Sequence, residues 1–182
     1  MNASGICEPV AAPAVRLRAA RLADRLERHA AALADFARSL GEDAWRLPAP
    51  GDGRTVGVIV HHVATVYPLE VQLAELMAAG TPIVDVTWAA VRDMNAAHAV
   101  DHADATREQT LSLLAANSAA AAAAIRAFSD ADLDRAVPVS LYGGAELTCQ
   151  FMLEDHAVRH SIHHLARLQA AVAAARAEPL RH

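Results

Sequence analysis

The stretch DHAVRHSIHH, residues 155–164, places four histidines in ten positions. On an α-helix, which turns about 100° per residue, His160, His163 and His164 fall about 40°, −20° and 80° from His156. All four therefore share one arc of roughly 100°. His160 and His164 are four apart, so they stack on successive turns and can aim at one point. Two imidazoles of an HExxH helix grip one cation in this way. No HExxH is present here, so no glutamate base comes with the pair. The residues on either side, from about Glu146 to Ala175, continue the helical pattern and make this the last long helix.

The same spacing rules give the rest of the chain. From Pro13 to about Leu40, Leu17, Leu22, Leu26, Leu33 and Phe36 recur near every 3.6 residues, and Gly41 ends the pattern. RLPAPGDGRT is a loop rich in proline and glycine. A second helix runs from about Thr55 to Ala79 and is closed by Gly80 and Pro82. Pro68 sits inside it, removes the hydrogen bond to Ala64 and is expected to kink it. A shorter helix covers about 87–98. DHADAT restarts a helix that runs to about Phe128. Val137–Tyr142 is the only β-like piece, followed by a Gly143-Gly144 turn. The expected fold is all-α: an antiparallel four-helix bundle with one additional short helix and no sheet. It spans residues 13–176, between a flexible N-terminal tail (1–12) and a short C-terminal tail (177–182).

The second helix brings two more histidines, His61 and His62, about 100° apart. His62 lies on the otherwise nearly apolar stripe Thr55, Ile59, Val66, Leu69, Leu73 and Met77, so it is expected to face the core. His61 lies with Ala64, Thr65, Pro68, Gln72 and Glu75, a mixed face. A histidine on an apolar stripe needs a partner, because an unpaired buried imidazole is costly. A metal and a buried hydrogen bond both qualify. His62 with His160 and His164 would make a three-histidine set. His29, His98, His102 and His182 read as surface residues, and His61, His156 and His163 as surface residues or as neighbours that orient a ligand. A ferritin-like di-iron site would need Glu-x-x-His pairs, and the chain has none. Glu70, Glu154 and Asp155 are the carboxylates near the histidines.

Composition narrows the function. Hydrophobic residues make up 54% of the chain but aromatics only 4%, and the net charge is −5. The fixed cations are all arginine, without a basic run or aromatic interleaving, so no nucleic-acid partner is expected. No stretch reads as a membrane span or a signal peptide, and a cytoplasmic location follows as the expectation. Cys7 and Cys149 show no framework spacing or CxxC motif, and Cys149 reads as a small core residue.

The chain resembles the DinB/YfiT-like family of bacterial metalloenzymes over about residues 15–175. The resemblance is carried by VGVIVHHVATVYPLE (56–70), VRDMNAAHAV (91–100), the stretch leading into FSDADLDR (128–135) and HAVRHSIHHLARLQ (156–169), in that order. It implies a four-helix bundle, a homodimer, and three histidines holding one divalent metal: His62, His160 and His164, the set that periodicity singles out. Family members often follow the last ligand with Arg-Gly-Gln, where this chain has Leu165-Ala166-Arg167. A site of three histidines leaves metal positions open, the layout of a catalytic centre. Histidine-only ligation favours Zn²⁺ or Ni²⁺. Some relatives look like transferases that use a low-molecular-weight thiol such as bacillithiol, mycothiol or glutathione, with a small-molecule electrophile as substrate. A metal makes a coordinated thiol ionise near neutral pH. The same site with metal-bound hydroxide would be a hydrolase. A third reading is a non-enzymatic, stress-related helical module. The residues leave the catalytic base unassigned.

Overall fold

The computed structural model describes residues 17–177. The expected N-terminal tail, the helix start at Pro13, Cys7, His182 and residues 178–182 of the expected C-terminal tail lie outside that range.

Four long helices dominate: α1 (Leu17–Ser39), α3 (Val56–Ala78), α5 (Arg107–Ala127) and α8 (Arg159–Ala177). Shorter ones are α2 (Glu42–Trp45), α4 (Trp88–Asp101), α6 (Asp130–Asp134) and α7 (Cys149–Met152). α1 packs on α5 and α8, and α3 also packs on α5 and α8. α1 buries a strip of leucine and alanine: Leu22, Leu26, Ala30, Leu33 and Ala37. Alanine on the inner faces of α1 and α5 lets the axes approach closely, so few aromatic residues are needed to fill the core. Gly57 serves the same end. A Cβ there would lie 2.4 Å from the indole of Trp45, so only glycine lets that ring pack against α3.

α3 is buried on nearly all sides. Thr55 caps it by accepting from the Val58 amide at 3.3 Å. The helix runs through Pro68 unbroken, and the carbonyl of Ala64 that proline leaves without a partner accepts from Asn117 Nδ2 of α5 at 2.8 Å. By length and composition alone, α3 and α5 are each long and apolar enough to cross a membrane. In α3, 67% of the apolar window is buried inside the fold, as in a core helix. In α5, whose apolarity comes largely from alanine, only 33% is.

A small sheet corrects the all-α expectation. β1 (Ala136–Val139) pairs antiparallel with β2 (Ala145–Thr148), joined by a short 3₁₀ turn and by Gly143 and Gly144 at positive φ. The hairpin docks on the chain after α3. Ile83 N donates to Pro138 O at 3.0 Å, and Ser140 N donates to Ile83 O at 2.7 Å. Trp88 Nε1 donates to Leu141 O at 3.0 Å.

The last helix also starts later than Glu146 and is not uniform. Between α7 and α8, Leu153–Val158 winds as a π-helix, which turns less per residue than the α form. α1 holds this segment through His29 Nδ1, 2.7 Å from Val158 O, and through Arg25, which donates to Glu154 at 2.7 Å. His29, expected at the surface, is thus half-buried and bonded.

Candidate metal centre

α3 and α8 deliver His62, His160 and His164 to one place. Each offers a ring nitrogen, and these lie within 4.8 Å of one another. His62 is 5% exposed and His164 7%. His160 Nε2 and His62 Nε2 are 3.3 Å apart. Two imidazole nitrogens bound tetrahedrally at about 2.0–2.1 Å would be ~3.3 Å apart, so this separation already suits a shared cation. The rings of His160 and His164 stack at 4.9 Å, as residues four apart should. His164 Nδ1 is buried and has no hydrogen-bond partner. Such an orphan is costly in a protein interior, and a cation beside the ring would relieve it. These donors fit a borderline divalent ion.

Glu70, two turns beyond His62 on α3, completes the arrangement. Its Oε1 lies 2.5 Å from His160 Nδ1, and the residue is 5% exposed. The carboxylate fixes the ring so that Nε2 faces His62. A carboxylate behind a ligating histidine is a recurrent support for metal binding. The sequence placed Glu70 near the histidines but gave it no role. Its signal was the i, i+8 spacing from His62, which returns to the same side of the helix after a little over two turns.

Burial sets the charge state. Desolvation pushes the His62 pKa down to about 2, helped by the neighbouring His160, Arg54 and His164. It pushes His164 down to about 3, with His160 and His163 adding to the effect. Both rings are neutral at pH 7 and able to donate a lone pair.

The histidines form one wall of a pocket of about 440 Å³. Val66, Leu69, Leu73, Val86, Trp88 and Leu141 give it an apolar lining, and Arg54, Arg159 and Arg167 stand around it. Asp52 holds Arg54 through bonds of 2.5 and 2.9 Å and meets Arg167 at 3.4 Å. The two larger clefts, of about 950 and 760 Å³, carry no histidine. His156 and His163 also line the pocket. His156 Nε2 lies 3.0 Å from Tyr142 Oη, which donates to Asp155 at 2.5 Å. The π-wound segment sets His156 apart from the three converging rings.

A match to the family model of the DinB superfamily covers residues 25–168, most of the chain and all of these residues. The chain belongs to the DinB superfamily. No curated protein and no solved structure gives a significant match.

In this DinB-superfamily chain two more histidines, besides His29, depart from the surface expectation. His98 and His102 do not stand alone at the surface. They meet His61 in a second cluster whose ring nitrogens also lie within 4.8 Å of one another. Cys149 is the core residue that the sequence suggested: burial raises its thiol pKa to about 12, and Sγ donates to Ala74 O at 3.4 Å.

Proposed function

We propose that the protein is a metal-dependent enzyme whose centre is His62, His160 and His164. We further propose that it transfers a low-molecular-weight thiol to a small electrophile. The observation that carries the reading is the convergence of three imidazoles from two helices on the wall of a 440 Å³ pocket. Three protein ligands leave a position for a reactant, whereas structural sites are closed by four. A bound divalent ion supplies a place where a thiol ionises near neutral pH.

The chain's own residues do the rest. Glu70 holds His160 in the orientation that presents Nε2. The apolar lining from α3, α4 and the 83–88 segment suits a small hydrophobic electrophile. The three arginines offer charge to a carboxylate-bearing thiol or substrate. We read the four long helices as the four-helix bundle of this family, with the site built between facing helices near one end.

Metal content of the untagged protein tests the reading, because nickel from an affinity column can fill an empty histidine site. Zinc or nickel should bind at this centre and be lost in the His160→Ala, His164→Ala double variant. Wild-type protein that takes up no zinc or nickel after reconstitution, or a variant that retains the same content, would overturn it.

A further inference from the structure

Three histidines outside the proposed centre converge on a second point. His61 is on α3, while His98 lies in the last turn of α4 and His102 caps that helix. The His102 amide donates to the His98 carbonyl at 3.0 Å, so the helical turn between them is closed and both rings project from the same edge. His61 Nδ1 and His98 Nε2 are 2.9 Å apart. Without a metal this is a hydrogen-bond distance, and tetrahedral Zn²⁺ at about 2.0–2.1 Å from each nitrogen would need the pair to open to ~3.3 Å. The His102 ring centre lies 4.2 Å from that of His61 and 4.7 Å from that of His98.

Packing does not account for the cluster, and hydrogen bonding accounts for only part of it: His61 Nδ1 meets His98 Nε2 and lies 3.3 Å from Thr65 Oγ1. α4 buries none of its residues, so no apolar core selects three imidazoles here. Each neutral imidazole has one donor and one acceptor nitrogen, and His98 Nδ1 is buried with no partner. The three rings therefore leave polar capacity unused.

We propose that His61, His98 and His102 form a second divalent-cation site, distinct from the pocket centre and suited to Zn²⁺ or Ni²⁺. The site joins α4 to α3. α4 supplies Val91, Met94 and Asn95 to the pocket wall, yet it has no fully buried residue, and half-buried Val91 and the Trp88–Leu141 bond tie it to the fold. A cation shared between the helices fastens that wall. The two sites adjoin without sharing a ligand, and the rings of His62 and His98 meet edge-on at 5.5 Å.

The test is zinc stoichiometry on untagged, chelator-stripped full-length protein reconstituted with zinc, measured by elemental mass spectrometry. The His98→Ala, His102→Ala variant should hold one zinc fewer per chain than wild type, and zinc should slow amide exchange in α4 of the wild type only. The half-buried positions of these residues on α4 leave the core intact, and the His98→Gln, His102→Gln variant repeats the test with side chains closer in size. Equal zinc content in wild type and both variants overturns the second site and leaves three rings that merely stack and hydrogen-bond. The pocket centre is read separately from the His160→Ala, His164→Ala variant, so either site can fail while the other stands.

Discussion

Burying a carboxylate costs several kcal/mol unless a partner compensates. Glu70 has one such partner, His160 Nδ1, while its Oε2 is buried without any. An ionised Glu70 requires the proton to sit on His160 Nδ1, which leaves Nε2 as a lone-pair donor directed toward His62. Glu70 is thus a positioning residue that chooses the tautomer, and the chemistry of the site depends on that choice. Glu70→Gln keeps the volume but replaces the charged acceptor with a neutral one. It should weaken zinc binding about 10–100-fold, the usual cost of losing a support behind a ligand. Competition with a chromophoric chelator measures this. Unchanged affinity would mean that Glu70 only packs beside the ring.

Among the elements, α3 shows how a sequence defect is repaired by a neighbour. Pro68 leaves the Ala64 carbonyl without its helical donor, and Asn117 reaches across from α5 to supply one. Asn117→Ala should therefore cost about 1–3 kcal/mol, the penalty of an unsatisfied buried acceptor. Pro68→Ala restores the amide donor, so Asn117→Ala should cost less in that background. A double-mutant cycle by chemical denaturation should give a coupling of about 0.5 kcal/mol or more, and additivity would show that Asn117 does not fill the gap. α3 was also the most legible element. Thr55 and Gly80 marked its ends, and the apolar stripe singled out His62. The hairpin was half legible: Val137–Tyr142 read as β-like and Gly143-Gly144 as its turn, but Ala145, Glu146 and Leu147 favour helix and hid the second strand. Pairing with Ala136–Val139 and docking on Ile83 override that preference. The second histidine cluster was hidden by a boundary. Ending a helix at His98 put His102 on a new segment, whereas α4 continues to Asp101 and places both on one edge. Within the proposed centre, the i, i+4 spacing carried His160 and His164. Glu70 was missed because its role depends on α8 approaching α3.

The whole molecule should feel its buried histidines as a pH dependence of folding. In the metal-free protein, burial holds the pKa of His62 near 2 and of His164 near 3, while in the unfolded chain each returns to about 6.5. Between those values the unfolded chain binds more protons, so stability rises with pH and falls as the solution is acidified. The loss begins as pH drops through about 6.5 and grows by up to ~1.4 kcal/mol per pH unit for each group. Burial also lowers the pKa of His156 and His163, which adds in the same direction. The melting temperature of chelator-stripped protein should therefore fall between pH 7 and pH 5, and a His164→Asn variant, which removes one of the titrating groups, should fall less steeply. Bound zinc should raise the melting temperature across this whole range, because the fold keeps the His62 and His164 rings neutral well below pH 5. A melting temperature that holds constant or rises on acidification over this range would mean that His62 and His164 are not kept neutral by the fold.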